Sequence, residues 1–410
     1  MNAARPNLVS YGLFAALLAS AGLPIYIHAP KFYVDQYGVS LASLGAVLFG
    51  LRLLDVVQDP LLGRFSEVLR GHRGIGVMIG CAVMALAMLG LFAVEPPVPP
   101  LIWFGLMLTF VFSGFSFLTI NFYAQGVLKA DTLPGDGHLM LARWRETGAL
   151  LGVCVASIAP VLLGGAVGQP FAGFAVGFAV LALCATLAMR GEWRAGRVVP
   201  GAGILAIVRD SLARRLLLIA LVNATPAAVS STLFLFFVET RLQAPGKEGV
   251  LLLLFFLSAA MSAPLWATAA ERVGAKKVLL FAMVLAIFAF GGATALGPGD
   301  WTLFAVICIA SGAAMGADLT LLPAIFARRM AVISPSAAEG FGLWAFVSKF
   351  TLAFAAVAVL PALDRAGFES GVENNSDEAL WLLSALYAGV PCILKLVAIG
   401  LLATTNLKET

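Results

Sequence analysis

Gly50-Leu51-Arg52-Leu53-Leu54-Asp55-Val56-Val57-Gln58-Asp59-Pro60 sits inside a long apolar run, Leu41 to Phe65, where charge should be avoided. At the helical period of 3.6 residues, Arg52, Asp55 and Asp59 fall on one face at i, i+3 and i+7. Three ionisable groups on one face of a membrane helix are costly unless they meet partners, water or an ion. An intramembrane charge therefore marks a functional site by default. The alternative is a structural ion pair near a helix end.

The rest of the chain has the composition such a helix needs. Of 410 residues, 61% are hydrophobic and 12% charged, and the mean hydropathy is +0.97. A soluble protein carries about 25% charged residues, so this is an integral membrane protein in contact with lipid. The 42 Gly fit that class. The net charge of +4 comes without a basic run dense enough for nucleic acid. Five isolated Cys, with no CxxC or Cys/His spacing, predict neither a disulfide framework nor zinc. The apolar run after Arg5 reads as a first span, not a cleaved leader.

A helix needs about 20 mostly apolar residues to cross the bilayer. The pattern predicts twelve spans, near residues 8–29, 41–65, 74–94, 100–128, 141–166, 170–189, 214–239, 249–271, 276–297, 301–327, 338–363 and 379–404. Breaks fall at turn chemistry such as Glu95-Pro96-Pro97 and Leu133-Pro134-Gly135-Asp136-Gly137. Lys and Arg crowd one side of the spans, which predicts that side, with both termini, to be cytoplasmic in a cell inner membrane. The longest basic connection, Arg190 to Arg215, divides the spans six and six. The expected domains are an N-terminal bundle (1–195), a linker (196–215) and a C-terminal bundle (216–410), in a chain expected to act as a monomer.

The halves carry a faint repeat. Pro60-Leu61 is followed by Glu67, and Pro264-Leu265 by Glu271 at the same spacing. That is the expected mark of a duplicated transporter whose halves rock about a central site. The places matching Asp55 and Asp59 are Ala259 and Ala263, so the carboxylates belong to one half, which favours a specific task over an architectural one.

Six plus six spans, with Pro/Gly and basic turns after spans two and eight, resemble the major facilitator superfamily. Within it the chain resembles the glycoside–pentoside–hexuronide:cation symporters. The matching residues are Ser10-Tyr11-Gly12, Arg52-x-x-Asp55-x-x-x-Asp59-Pro60-x-x-Gly63, Arg145 leading to Leu151-Gly152, and Lys349 with Ala353-Phe354-Ala355-Ala356. The resemblance implies an all-α fold of twelve transmembrane helices in two six-helix halves. It also implies symport of a small organic solute, sugar-like or related, with Na⁺ or H⁺ by alternating access. It assigns Asp55 and Asp59 to the coupling cation and Arg145 and Lys349 to substrate binding or coupling. The chain departs from the family at Leu18-Ala19, where a sugar-binding acid is missing, and at Asn121 and Gln125, which stand for an Asp and a Trp. A galactoside site of the known kind is therefore not expected.

The residues give reasons of their own. Hard cations prefer oxygen ligands, so Asp55 and Asp59 suit one, with Gln58 and Asn121 able to add neutral oxygens. Two close carboxylates can also share a proton, which leaves Na⁺ and H⁺ both open. Arg52 shares the carboxylate face. Arg145, in Arg143-Trp144-Arg145-Glu146, is either a substrate group or part of a basic flank with an interfacial Trp. Lys349 lies mid-span, far from either water phase, with Asp55 or Asp59 as its favoured partner; snorkelling is the alternative. Asp318 either lines the substrate path or pairs with Lys395. Gln125, Tyr26, Tyr123 and Trp344 complete the candidate cavity. Other readings are a lysolipid carrier of the same fold and a membrane-embedded Mg²⁺-dependent transferase. For the second, Asp-x-x-x-Asp lacks the partner motif, so no enzyme activity and no organic cofactor are expected.

Overall fold

The computed structural model describes residues 8–164, 169–193, 201–368 and 375–407. Among them the chain is helical throughout, without a strand. The helices are α1 (Val9–Ser20), α2 (Leu23–Tyr37), α3 (Leu41–Val68), α4 (Arg73–Phe92), α5 (Pro100–Ala130), α6 (Gly137–Gly164) and α7 (Pro170–Met189). They continue with α8 (Ile204–Arg209), α9 (Ser211–Phe236), α10 (Glu248–Val273), α11 (Ala275–Gly291) and α12 (Trp301–Ile333). The last three are α13 (Ala338–Arg365), α14 (Asp377–Ser384) and α15 (Val390–Ala403). Eight helical segments are long and apolar enough to cross a membrane. The interrupted pair α1–α2 and the charge-bearing α3, α6 and α13 bring the described spans to the twelve expected. Their outward faces carry Leu61, Leu86, Val155, Phe281 and Phe288, all exposed. An apolar surface of that extent belongs against lipid, not water.

The first span differs from the sequence expectation. It is not one helix over 8–29 but two, parted at Ala21-Gly22, and the second runs on to Tyr37. Pro24 is the cause. Lacking an N–H, it cannot serve the Ser20 carbonyl, but at the second position of α2 that loss is harmless. Elsewhere the ends follow sequence rules: Ser40, Asp210 and Ser376 cap α3, α9 and α14 by accepting from the backbone N–H three residues on. Asp210 does more than cap. The Arg329 guanidinium bonds both its oxygens, at 3.0 and 2.5 Å, and this holds the carboxyl below the usual carboxylate range.

The chain forms two compact units: Met1–Ile207 with Met330–Phe346, and Val208–Arg329 with Val347–Thr410. In the first, α1 packs chiefly on α6, with backbone touching backbone. A Cβ at Gly148 would lie 2.2 Å from the Gly12 carbonyl oxygen, and one at Gly152 2.6 Å from that of Ala16. Small residues four apart on both helices allow that approach. The start of α13 also belongs to this unit: a Cβ at Gly63 of α3 would lie 3.2 Å from the Cα of Gly342. Nearby, Gly201 N–H donates to Glu67 (2.7 Å) and Ala202 N–H to Ser334 (3.1 Å), which fastens the chain leading into α8.

In the second unit, α10 and α12 repeat the close approach. A Cβ at Gly312 would lie 2.2 Å from the Phe255 oxygen. Two π-helical turns interrupt its spans, Phe237–Arg241 after α9 and Ala385–Gly389 between α14 and α15. The rings of Phe237 and Tyr387 stack there with centroids 4.1 Å apart. Pro391 cannot serve the Tyr387 carbonyl, and Ser230 of α9 donates to it instead, at 3.2 Å.

Candidate functional site

Helix α3 presents its carboxylates inward. Asp55 is 3% exposed and Asp59 fully buried, while Leu53, Leu54, Val57 and Leu61 on the opposite face are exposed. This is the amphipathicity of a membrane helix turned inside out, polar face to the protein and apolar face to lipid. Gln58 Nε2 donates to Asp55 Oδ1 at 2.7 Å, and Ser113 of α5 donates to Gln58 Oε1 at 2.9 Å. A continuous polar chain therefore runs from α5 to the first carboxylate. Arg52, half-buried, lies one turn before Asp55 on the same helix.

Asn121 is bonded to both helices. Its Oδ1 accepts from Ser66 at 2.7 Å and its Nδ2 donates to the Phe117 carbonyl at 2.8 Å. Ser66 is seven residues beyond Asp59, about 10 Å along a helix. Asn121 thus forms a second polar rung between α3 and α5. Gln125 is bonded as well. Its Nε2 donates to the Glu192 carbonyl at 2.7 Å, and its Oε1 accepts from Arg73 at 3.5 Å. Glu192, not singled out from the sequence, is the hub of that cluster. It meets Lys129 at 2.9 Å and accepts from the Tyr11 hydroxyl at 3.3 Å.

Arg145 is held on three sides. Its Nε donates to Glu146 at 2.7 Å, its guanidinium carbon lies 3.8 Å from the centroid of the Tyr123 ring, and Tyr123 donates to the same Glu146 oxygen at 3.3 Å. The residue is 8% exposed, and its Nη2 is buried with no hydrogen-bond partner among the described residues. A desolvated charged donor is costly to leave unmet.

In the second unit, Asp318 of α12 and Lys395 of α15 form a buried ion pair. Lys395 also donates to Asn223 of α9 at 2.7 Å. Asn223 was missed in the sequence. The available signal was an amide in an apolar span, three residues before Pro226. Lys349 is half-buried in the stretch of α13 that belongs to this unit, and Trp344 half-buried in the stretch that belongs to the first. Tyr26 lies on α2, and its side chain is outside the described residues.

A search of curated proteins gave no match. Among solved structures, a bacterial homologue of the iron transporter ferroportin, captured in an outward-facing state, is 14% identical. The match covers 97% of this chain and 99% of that one, with a TM-score of 0.70. At that identity the likeness speaks for the fold alone. The family model described as MFS/sugar transport protein matches residues 8–409. Nearly the whole chain, including the buried carboxylates of α3 and the held arginine of α6, lies within that match, and the protein belongs to this family of membrane transporters, not to a class of enzymes.

Proposed function

We propose that the protein is a secondary active symporter that takes up a small organic solute together with a monovalent cation, Na⁺ or H⁺, by alternating access. The observation that carries this reading is the burial of Asp55 and Asp59 one turn apart on a membrane helix. A transporter that only passed a solute downhill would have no use for two carboxylates there. Carboxylate oxygens are the ligands a hard cation prefers, and a close pair equally suits a proton. Arg145 supplies the complementary function: its unmet Nη2 is the donor for an oxygen of the solute, and Glu146 and Tyr123 hold it in place. Asn121 and Gln125 serve the scaffold in this reading.

The cation half of this reading can be tested before the solute is identified. Purified protein is titrated with NaCl against a KCl control at several pH values while its thermal unfolding is followed. A cation that binds only the folded state stabilises it by about 2.7 kcal/mol at 100 times its Kd. The wild type should gain stability from Na⁺ or from acid, and Asp55→Asn and Asp59→Asn should lose the response. The same assay then screens sugars, organic acids and lysolipids. No response to either cation would refute the reading, and stabilisation by lysolipid alone would replace the small solute with an amphiphile.

For orientation, the Lys/Arg asymmetry supports a cytoplasmic side for both termini and the Arg190–Arg215 connection in an inner membrane. An Arg197→Cys variant in right-side-out vesicles should resist an impermeant maleimide until the membrane is opened. Labelling of intact vesicles would reverse the topology.

A further inference from the structure

The ion pair of the second unit has a geometry that a structural pair does not need. Asp318, Lys395 and Asn223 are 7%, 6% and 6% exposed and come from three helices, α12, α15 and α9. Lys395 Nζ is held between Asp318 Oδ2 and Asn223 Oδ1. Asp318 Oδ1, the second oxygen, is buried with no hydrogen-bond partner. The carboxylate thus keeps an open lone-pair site in an apolar interior, where a fully satisfied acid would stabilise more. The amide beyond the ammonium gives Lys395 an acceptor that does not depend on the charge of Asp318.

We propose that Asp318 and Lys395 form a proton-exchanging site of the second unit, with Asn223 as the acceptor that retains the ammonium when Asp318 is neutral. A proton from water adds to a lone pair on Asp318 Oδ1. The Lys395–Asp318 contact then loses its charge, and the ammonium stays on Asn223. No other bond is made or broken, and the reverse step returns the proton to water. The surroundings leave little else to titrate with it. By sequence, α9 has no acid or base between Arg215 and Glu239, α10 none between Glu248 and Glu271, and α15 only Lys395. Facing α12, α10 contributes Phe255, Ala259, Ser262 and Trp266. Among the described residues, the other titratable groups of this interior include Tyr387, Cys308 and Cys392, with Lys349 on α13. The site is separate from Asp55 and Asp59, and the inference does not rest on their binding a cation.

The test reads the carboxyl directly. Infrared difference spectra of the purified full-length protein are recorded from about pH 4 to about pH 10. Among the protonated-carboxyl stretches that appear on acidification, one component should be present in the wild type and in Asp55→Asn, move in Asp318→Glu, and be missing from Asp318→Asn. Should Asp318→Asn fail to fold, the double variant with Lys395→Met removes both charges together and is read for the same missing band. Asn223→Leu keeps both ionisable groups but deprives the ammonium of its second acceptor, so the band should need about tenfold more acid to appear. Identical spectra with and without Asp318, or an Asn223→Leu titration that matches the wild type, would leave only a structural ion pair and overturn the proposal.

Discussion

Asp59→Asn, and separately Asp55→Asn, should abolish cation-driven accumulation in proteoliposomes while solute counterflow persists. A tenfold cation gradient supplies about 1.4 kcal/mol, enough for up to about tenfold accumulation at one-to-one coupling. In either variant the internal concentration should stop at the external one. The amide keeps the shape and one oxygen of the carboxylate and removes the charge that a cation or proton would neutralise. Folding should survive, because α3 is held by apolar packing and by its rungs to α5, Gln58 to Ser113 and Ser66 to Asn121. Counterflow needs only the solute site and the conformational change, so it separates lost coupling from lost protein. Gln58→Leu, which cuts the neutral link to Asp55, should weaken the apparent cation affinity without ending accumulation. Full tenfold accumulation by both aspartate variants would mean that the buried pair serves structure alone.

Membrane class, span number and the inward burial of Asp55 and Asp59 were legible because each follows from a rule that acts along one helix. Length against bilayer thickness sets the spans, and the cost of charge in hydrocarbon flags the acids. Contacts between helices were legible only where one residue is so out of place that it must have a partner. Lys395 and Asp318 were paired as an option on that ground, and they do meet. Asn223 and Glu192 were not foreseen, because an amide in an apolar span, or an acid beside the end of one, can be satisfied in many ways. Asn121 and Gln125 were read from their alignment with functional family positions, and the bonds their amides make, from α5 to Ser66, Glu192 and Arg73, were not foreseen. A substitution that removes a charge frees the position for packing, and the sequence does not show which neighbours then take it up. The break in the first span was visible in principle at Gly22 and Pro24. Hydropathy is blind to it, since the residues on both sides are equally apolar.

Gly148→Val should be strongly damaging to the first unit, and Gly148→Ala should already lower thermal stability and yield. The reason is the partner a side chain would meet. The Cβ would lie 2.2 Å from the Gly12 carbonyl oxygen and 2.6 Å from the Gly12 Cα, both of them backbone atoms of α1. A flexible side chain could turn away, but a helix backbone can move only as a body. Overfilling a packed interior typically costs about 1–3 kcal/mol and occasionally more, and a clash with backbone belongs at the upper end. The displaced helix α1 would carry Tyr11 away from Glu192 and Phe14 away from Phe122, whose ring centroids now lie 5.0 Å apart. On the other side, a shift of α6 would move Arg145, three residues before Gly148, and the proposed solute site with it. Gly177→Ala on α7 is the control, since a Cβ there meets nothing within 4 Å. It should leave stability unchanged or raise it by a few tenths of a kcal/mol, as helix propensity alone predicts. If Gly148→Ala melted with the wild type, α1 and α6 would have to be farther apart than described here. The packing that holds Arg145 against Tyr123 would then need another explanation.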